Sequence, residues 1–310
     1  MLSSGVLDVM RSVSVSSDRA KALVGDREIE ADTPRELRRM LAEALYDVFH
    51  SGQGDSRIPT RLRDPALEAR LAAAVPHTEI VTRARVQSSP EPDGKGGLRV
   101  LVERDGVRFW APAAVLDASD PAPGDIVGLR MPAARPGLSP GFFLVDGSRS
   151  RTGGREVLRL YVNVVDVDRA VRVWGATLAF LEEQGLPYRA KVLSAPELYP
   201  RRDAVVVYLD AAVADAAPRL ADHVRHLPGV GADVSSFVEE LHPGVATAWE
   251  PADPHSGRQG LSFGQHRASV LATALVDSAD RPETTEHTVA EQFARAGIDP
   301  ANPARNLPVA

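Results

Sequence analysis

The chain contains no cysteine among its 310 residues. This absence excludes disulfides, thiolate metal sites and a cysteine nucleophile. Aromatic residues make up only 5% of the chain, and no apolar run approaches the roughly 20 residues of a membrane-spanning helix. The opening sequence, MLSSGVLDVMRS, lacks the long apolar segment of a secretory signal. We therefore expect a cytoplasmic protein that is not embedded in a membrane.

The sequence also has few features of a metal, nucleotide or nucleic-acid site. Its net charge of −6 argues against nonspecific binding to nucleic acid. In the second half of the chain the histidines form no H-x-x-x-H pair or carboxylate cluster with metal-ligand spacing. No glycine-rich loop has the pattern that cradles a phosphate. We expect no metal, no other cofactor and no nucleic-acid partner.

The stretch SFGQHRASVLATAL, residues 262 to 275, places polar groups where an apolar core helix does not need them. Ser262 and Gln265 have the spacing of a capping box, which predicts a helix that starts here. His266 and Arg267 then fall in the first turn, where free backbone N–H groups attract phosphate or carboxylate. The pattern fits either an anion site or an ordinary capped surface helix.

The first half of the chain begins with one clear helix and then changes to the period of strands. Thr33 and Glu36 form a capping box with Pro34 at the first helical position. From residue 79 to residue 131, short strands and an Asp105-Gly106 turn predict hairpins. We expect a small β-barrel-like domain or an open, curled sheet after the N-terminal helix.

A stretch with no apolar residue, GSRSRTGGRE at positions 147 to 156, is the candidate linker. We place a domain boundary there, between residues 1–153 and residues 154–310. The second part alternates strand and helix patterns, which predicts a mixed α/β domain. The fold class is therefore α+β.

Two strands of this second part carry polar side chains on one face. In the strand from Leu158 to Val164, alternation puts Arg159, Tyr161 and Asn163 together. Lys191 lies on the next strand, where a lysine is most often a solvated edge residue. The loop that follows carries Arg201, Arg202 and Asp203, which form either a surface ion pair or a second anion clamp.

Five motifs occur in order along the chain: RLYVNV, YRAK, LYPRRDAVVVYL, HPGVATAWEP and SFGQHR. Together they resemble the HopA-type effector family, whose relatives include stand-alone lyases of class V lanthipeptide and thioamitide biosynthesis. The resemblance covers about residues 98 to 308 and is clearest from Arg159 onward. It implies a lyase-like fold for the second domain. The implied reaction is phosphate β-elimination from phosphoserine or phosphothreonine in a ribosomal precursor peptide, which gives dehydroalanine or dehydrobutyrine. More distantly, the chain resembles phosphothreonine lyases that bacterial pathogens inject into host cells.

The resemblance also implies roles for individual residues. Lys191 would remove the Cα proton, and Arg159 would bind the phosphate. Tyr161 stands where the distant lyases have their general-acid histidine, so the acid is Tyr161, His266 or absent. The remaining predicted phosphate-site residues are Arg202, Arg267, Asn163 and Ser262. These groups are useful only together, so we predict that both polar strand faces converge on the start of the 262–276 helix.

The implied partners are the phosphorylated precursor peptide, with its leader and core, and a kinase-like protein of the same pathway. Residues 1–153 would then serve peptide capture. One alternative is a non-catalytic subunit that binds the leader by β-augmentation or holds a kinase-like partner. Another is an effector that acts on host proteins. Loss of phosphate mass from a phosphopeptide would separate the enzyme from the scaffold.

Overall fold

The structure is a computed structural model that describes residues 1–54, 62–151, 153–154, 156–253 and 255–308. The helices of these residues are α1 Ser4–Arg11, α2 Pro34–Leu45, α3 Pro65–Ala73, α4 Val167–Glu183, α5 Ala216–Val224, α6 Phe263–Asp277 and α7 Thr285–Arg295. The first strands are β1 Val13–Val15, β2 Lys21–Val24, β3 Arg27–Glu30, β4 Glu79–Val86, β5 Glu91–Pro92, β6 Leu98–Arg104, β7 Val107–Pro112 and β8 Ile126–Pro132. The remaining strands are β9 Ala134–Ser139, β10 Phe142–Asp146, β11 Val157–Val164, β12 Tyr188–Leu193, β13 Arg201–Asp210, β14 Glu239–His242 and β15 Val245–Trp249.

A seven-stranded antiparallel sheet lies at the centre of the fold, in the order β14-β15-β11-β13-β12-β10-β9. One face carries aliphatic residues such as Leu160 and Val207 and packs against α4 and α5. The opposite face carries Tyr161 and Val206 and belongs to a second core with α2 and α6. Because side chains alternate between the two faces along each strand, the sheet contributes residues to both cores and lies between two helical layers.

Two smaller sheets belong to the first half of the chain. Strands β1 to β3 form one, and β4 to β8 form the other, with β4 and β6 inside it. In this second sheet β7 pairs with β6 and β8 pairs with β4, but β7 and β8 do not close on each other. The predicted curled sheet is therefore confirmed, and it is not closed into a barrel.

Local turn and cap chemistry agrees with the sequence. The β6–β7 hairpin turns at Asp105 and Gly106, which have φ angles of 52° and 77° as this turn requires. The side chain of Thr33 accepts a hydrogen bond from the Glu36 N–H at 3.2 Å and starts α2. Ser262 starts α6 with the complete capping box. These helix starts were set by short-range hydrogen bonds that the sequence alone indicates.

The boundary predicted at residues 153 and 154 falls in the connection between β10 and β11. Strand β10 pairs with β12 from Phe142↔Leu193 to Asp146↔Arg189, so strands from both sides of this connection share the central sheet. The stretch 147–156 lacks apolar residues because it is a surface connection; its residues 152 and 155 lie outside the described residues. Removing residues 1–153 would therefore remove β9 and β10 from the sheet.

No helix in the described part of the chain is both long enough and apolar enough to cross a membrane.

Trp174 lies in the core between the sheet and α4, and its substitution tests the contribution of that core to stability. Its side chain is fully buried, donates to the Leu71 carbonyl at 3.2 Å and packs edge-on against Phe143. Trp174→Ala should lower the free energy of unfolding by about 3–5 kcal/mol, because a large cavity replaces the ring. Chemical denaturation measures this change. Trp110→Ala, at a position that is 43% exposed, is the control and should cost about 1 kcal/mol or less. Equal losses in the two variants would contradict the core assignment.

Candidate functional site

A cleft of about 640 Å³ opens on the face of the central sheet that carries α2 and α6. Strands β10 to β13 form its floor, a π-helical turn at Tyr46–Ser51 forms one wall, and residues 250, 251, 253 and 258–262 form another. The polar and aromatic lining residues are Tyr46, His50, Ser139, Phe142, Arg159, Tyr161, Lys191, Arg201, Asp203, Tyr208, Glu250, Asp253, Arg258, Gln259, Ser262 and Gln265. This concentration of cations, carboxylates and phenols makes the cleft the candidate functional site.

Strand register brings the floor residues together. Lys191 on β12 pairs with Val206 on β13, and Val206 pairs with Tyr161 on β11. One alternation away, Tyr208 pairs with Arg159. Paired residues in antiparallel strands point to the same face. Residues far apart in sequence therefore meet on one side of the sheet, as predicted for Arg159, Tyr161 and Lys191.

Two aromatic rings separate three cations along this floor. The Arg159 guanidinium lies 5.0 Å from the centre of the Tyr208 ring, and Lys191 Nζ lies 5.9 Å from the same centre. Lys191 Nζ also lies 4.0 Å from the centre of the Phe142 ring, with the Arg201 guanidinium at 5.8 Å. The negative faces of the rings offset part of the repulsion between these like charges.

Carboxylates pair with two of the three cations. Arg159 donates through Nε and Nη2 to Glu250, the second bond measuring 2.6 Å. Arg201 donates through the same two atoms to Asp203, at 2.7 and 2.8 Å. Among the described residues, Lys191 has no carboxylate within ion-pair distance. The Lys191 amine is thus not occupied by any carboxylate of the described residues.

Asp203 links β13 to the π-helical turn. Its carboxylate accepts weakly from the Tyr46 hydroxyl at 3.4 Å and lies 3.9 Å from His50 Nε2. Burial opposes its negative charge, but Arg201 above all, with His50 and Lys191, holds the pKa of Asp203 well below its usual range. Burial, opposed by Asp203, lowers the pKa of His50 to about 4. The cluster therefore combines an ionised carboxylate with a neutral imidazole.

Tyr161 is a buried phenol at the base of the cleft. Its ring meets the His50 ring edge-on, with centres 5.6 Å apart. Burial raises the pKa of Tyr161, which keeps its proton in place. The Arg159 guanidinium is near enough to interact with the hydroxyl electrostatically, but no well-oriented hydrogen bond joins them. The hydroxyl oxygen has almost no accessible surface, and the Arg159 guanidinium is its near polar neighbour.

Arg202 does not line the cleft. Its guanidinium donates to the carbonyls of Val48 and Phe49, at 3.1 and 3.4 Å, and so supports the π-helical turn. The reason is an irregularity in β13: Ala204 and Val205 are consecutive, yet both pack into the core on the other face. This bulge reverses the alternation, so Arg201 rather than Arg202 shares the face of Tyr208.

Arg267 and His266 are also directed away from the cleft, and neither has any exposed surface. Arg267 donates to the Pro303 carbonyl at 2.8 Å and to Asn306 at 3.0 Å. His266 accepts from Arg267 at Nδ1 and contacts Asp253 through Nε2 at 2.9 Å. Burial, with the charge of Arg267, lowers the pKa of His266 to about 4. The predicted convergence therefore holds for Arg159 and Lys191 but not for Arg202 and Arg267.

The two predicted hydrogen-bond donors, Ser262 and Asn163, differ in their position relative to the cleft. Ser262 lines the cleft, but its backbone N–H and hydroxyl both contact the Gln265 side chain. Asn163 donates to the Asp233 carbonyl at 2.8 Å and does not line the cleft. Its 8% exposure shows a side chain enclosed by a neighbouring loop. Of this pair only Ser262 is placed to meet a ligand.

Sequence reasoning missed several residues of the site, including Tyr46, His50, Phe142, Tyr208, Glu250, Asp253 and Arg201 as a cleft residue. Tyr46 and His50 follow the predicted α2 at a spacing that a helix continued to position 50 would bring together. Glu250 stands in the motif HPGVATAWEP, directly after a predicted strand. These were usable signals, but their meeting with Arg159 and Asp203 required the tertiary fold.

Within the described ranges, no three histidine, aspartate or glutamate side chains gather in a way that could hold a metal ion.

Comparison with known proteins identifies the family of the chain. The model of the HopA1 effector protein family matches residues 133–305, more than half of the sequence. The chain belongs to this family, and the resemblance found from its motifs is confirmed. No curated protein matched the chain.

Two solved structures are similar to part of it. One is the effector protein from Pseudomonas syringae pv. tomato strain DC3000, at 19% identity and a TM-score of 0.43. The other is the effector protein from Pseudomonas syringae pv. syringae strain 61, at 18% identity and a TM-score of 0.42. Each match covers 54% of this chain and 63% of the other. The chain thus spans less than two thirds of the length of these neighbours.

The buried imidazole of His50 predicts a pH-dependent stability. Its pKa is about 4 in the folded chain against an ordinary 6.5, so the unfolded chain binds more protons below 6.5. The free energy of unfolding should therefore fall as pH drops from about 6.5 towards 4. His50→Gln should make this fall shallower, as measured by denaturation at several pH values. His266 adds a similar contribution that this variant retains.

The control for this experiment is His287→Gln, because the His287 side chain is 77% exposed. It should follow the wild-type pH dependence. A His50→Gln variant that loses stability as steeply as the wild type would contradict a buried, neutral His50.

Proposed function

We propose that this chain is a carbon–oxygen lyase that eliminates phosphate from phosphoserine or phosphothreonine in a peptide. One observation carries the proposal: Lys191, which has no carboxylate partner among the described residues, faces the cleft between Arg159 and Arg201. A β-elimination of phosphate needs a base for the Cα proton beside cations for the phosphate. Membership of the HopA1 effector protein family supports the same reading.

Each of the two arginines has a terminal nitrogen left to offer a phosphate. Arg159 and Arg201 use Nε and Nη2 for Glu250 and Asp203, which leaves Nη1 of both with no hydrogen-bond partner in the described part of the chain. A phosphate between them would receive charge-assisted hydrogen bonds from these atoms. Arg201 thus takes the place that the sequence interpretation gave to Arg202, and the roles proposed for Arg267 and Asn163 become structural.

The reaction breaks the Cα–H and Cβ–O bonds of the phosphorylated residue. Lys191 first loses its own proton to solvent; its neutral amine then takes the proton from Cα, and the C–H electron pair becomes the Cα–Cβ double bond. The Cβ–O bond breaks, and phosphate leaves with its bonding electrons. The products are dehydroalanine or dehydrobutyrine, phosphate and the Lys191 ammonium. Tyr161 is the proposed hydrogen-bond donor to the leaving phosphate and keeps its proton, because it lines the cleft and burial raises the pKa of its hydroxyl.

The proposed substrate is a ribosomal precursor peptide of lanthipeptide or thioamitide type, handled in the cytoplasm. A kinase-like protein of the same pathway would supply its phosphorylated residues. The competing proposal is a non-catalytic subunit that only binds the peptide or the kinase-like partner. The cleft is lined by a lysine without a carboxylate partner in the described residues and by a protonated phenol, which favours the enzyme because peptide binding alone needs neither group.

Lys191→Met separates these two proposals. The variant keeps the apolar stem of the side chain but deletes the base, so elimination should fall by about two to four decades. Affinity for the phosphopeptide should change far less, because the arginines hold the phosphate. Mass spectrometry follows the loss of phosphate, and fluorescence anisotropy follows binding. Lys21→Met is the control, since Lys21 is 64% exposed and pairs only with Glu30 at 3.2 Å. Dehydration at the wild-type rate by Lys191→Met would remove this lysine from the mechanism.

Tyr161→Phe tests the hydrogen-bond donor to the leaving phosphate. Loss of the hydroxyl should slow elimination by about two decades at unchanged phosphopeptide affinity, since the hydrogen bond forms as negative charge develops. His50→Gln is the comparison, because His50 lies at the same end of the cleft. If His50→Gln slows the reaction and Tyr161→Phe does not, the imidazole and not the phenol donates this hydrogen bond.

A further inference from the structure

A second cavity, of about 380 Å³, lies between the five-stranded sheet and the ends of β10 and β12 in the central sheet. We call it the basic groove and define it by its five arginines: Arg83, Arg104, Arg149, Arg151 and Arg189. They come from β4, from the end of β6, from the connection after β10, and from β12. The stretch first interpreted as a linker therefore supplies two of its cations.

The charge of the groove is not balanced. Its lining includes two aspartates: Asp105, which pairs with Arg104 at 3.2 Å, and Asp146. Arg151 pairs with a third aspartate, Asp210, at 2.7 Å, so five arginines face three carboxylates in the described residues. Asp146 is shared by Arg189 and Arg135, at 2.6 and 2.7 Å. Arg83 and Arg149 have no carboxylate within ion-pair distance in the described residues. An excess of guanidinium groups around one cavity favours an anionic ligand.

The groove reaches the cleft-bearing face of the central sheet through Arg189, while Arg149 lies beside Gly185 at the end of α4, on the opposite face. Arg189 and Lys191 are two residues apart on β12, so both point to this face, about 7 Å apart along the strand. Tyr208 pairs with Arg189 on one side and with Arg159 on the other. An extended peptide with one residue at Lys191 would reach Arg189 within two or three residues.

We infer that the basic groove binds acidic side chains of the substrate peptide, a few residues away from the phosphorylated residue that occupies the cleft. This inference rests on the proposed function for the position of the phosphorylated residue. The anionic groups are either carboxylates or further phosphates, since both accept hydrogen bonds from guanidinium. The groove thereby selects which phosphorylated peptides bind, and it contributes no group to the elimination step.

The test compares phosphopeptides of equal length in which the residues flanking the phosphoserine are glutamate, glutamine or additional phosphoserine. The Lys191→Met protein is used for binding, so that affinity is read without turnover. Glutamate should bind about threefold to tenfold more tightly than glutamine, the range expected for a few exposed charge pairs, with loss of the difference in high salt. A larger gain with phosphoserine would identify further phosphates as the preferred ligand. Equal affinity for all three peptides would overturn the inference.

The variant arm uses Arg83→Gln with Arg149→Gln, because these two arginines support no ion pair in the described structure. Added to Lys191→Met, the pair should abolish the preference for glutamate; in the otherwise wild-type chain it should raise KM for the acidic peptide and leave kcat unchanged. The matched control is Arg39→Gln with Arg108→Gln, at side chains that are 60% and 64% exposed outside the groove. A glutamate preference that persists in the groove variant would refute the inference.

The two proposals fail in different ways. If the acidic peptide is preferred but no variant or wild-type protein releases phosphate, the groove stands and the lyase proposal falls. If phosphate is released at equal KM from acidic and neutral peptides, the lyase proposal stands and the groove inference falls.

Discussion

The buried ion pair between Arg201 and Asp203 is the contact on which the rest of the cleft depends. Both partners are nearly inaccessible, with 11% and 8% of their side chains exposed, and Tyr46 and His50 complete the enclosure. Loss of one partner of such a pair costs about 3–5 kcal/mol, because the other charge is left buried alone. Arg201 and Asp203 both lie on β13, and their contacts with Tyr46 and His50 join this strand to the π-helical turn after α2. These contacts fix one wall of the cleft against its floor.

That wall connects the N-terminal segment with the matched family region. Tyr46 and His50 precede residues 133–305, yet their side chains line the same cleft as Lys191. Arg202 supports the turn from below through the Val48 and Phe49 carbonyls. The two neighbouring arginines on β13 therefore have different roles. Arg201 faces the cleft, and Arg202 stabilises the turn that encloses it. The N-terminal segment and the matched family region therefore form the cleft together.

Charge compensation decides what the floor can offer a ligand. Glu250 and Asp203 neutralise Arg159 and Arg201 while leaving one N–H edge of each guanidinium open. Aromatic rings then keep Lys191 close to both arginines without direct contact between the cations. A fully paired floor would have little attraction for an anion, and an unpaired one would carry three buried like charges. The observed arrangement lies between these limits.

Short-range patterns in the sequence determined the elements and part of the site. Capping boxes at Thr33 and Ser262 and the Asp105-Gly106 turn depend on neighbours within a few residues, so each was readable without the fold. Strict alternation likewise placed Arg159 and Tyr161 on one face of β11. These predictions hold because the physics that sets them is local.

Only the tertiary structure decided which polar groups reach the cleft. At the β13 bulge two consecutive residues pack into the same core. Because of this bulge, Arg201 rather than Arg202 faces the cleft. Arg267 and His266 lie in the predicted first turn of α6, but the C-terminal segment at Pro303 and the Asp253 carboxylate enclose them. Contacts between residues tens to hundreds of positions apart set these orientations, and no local period in the sequence encodes them.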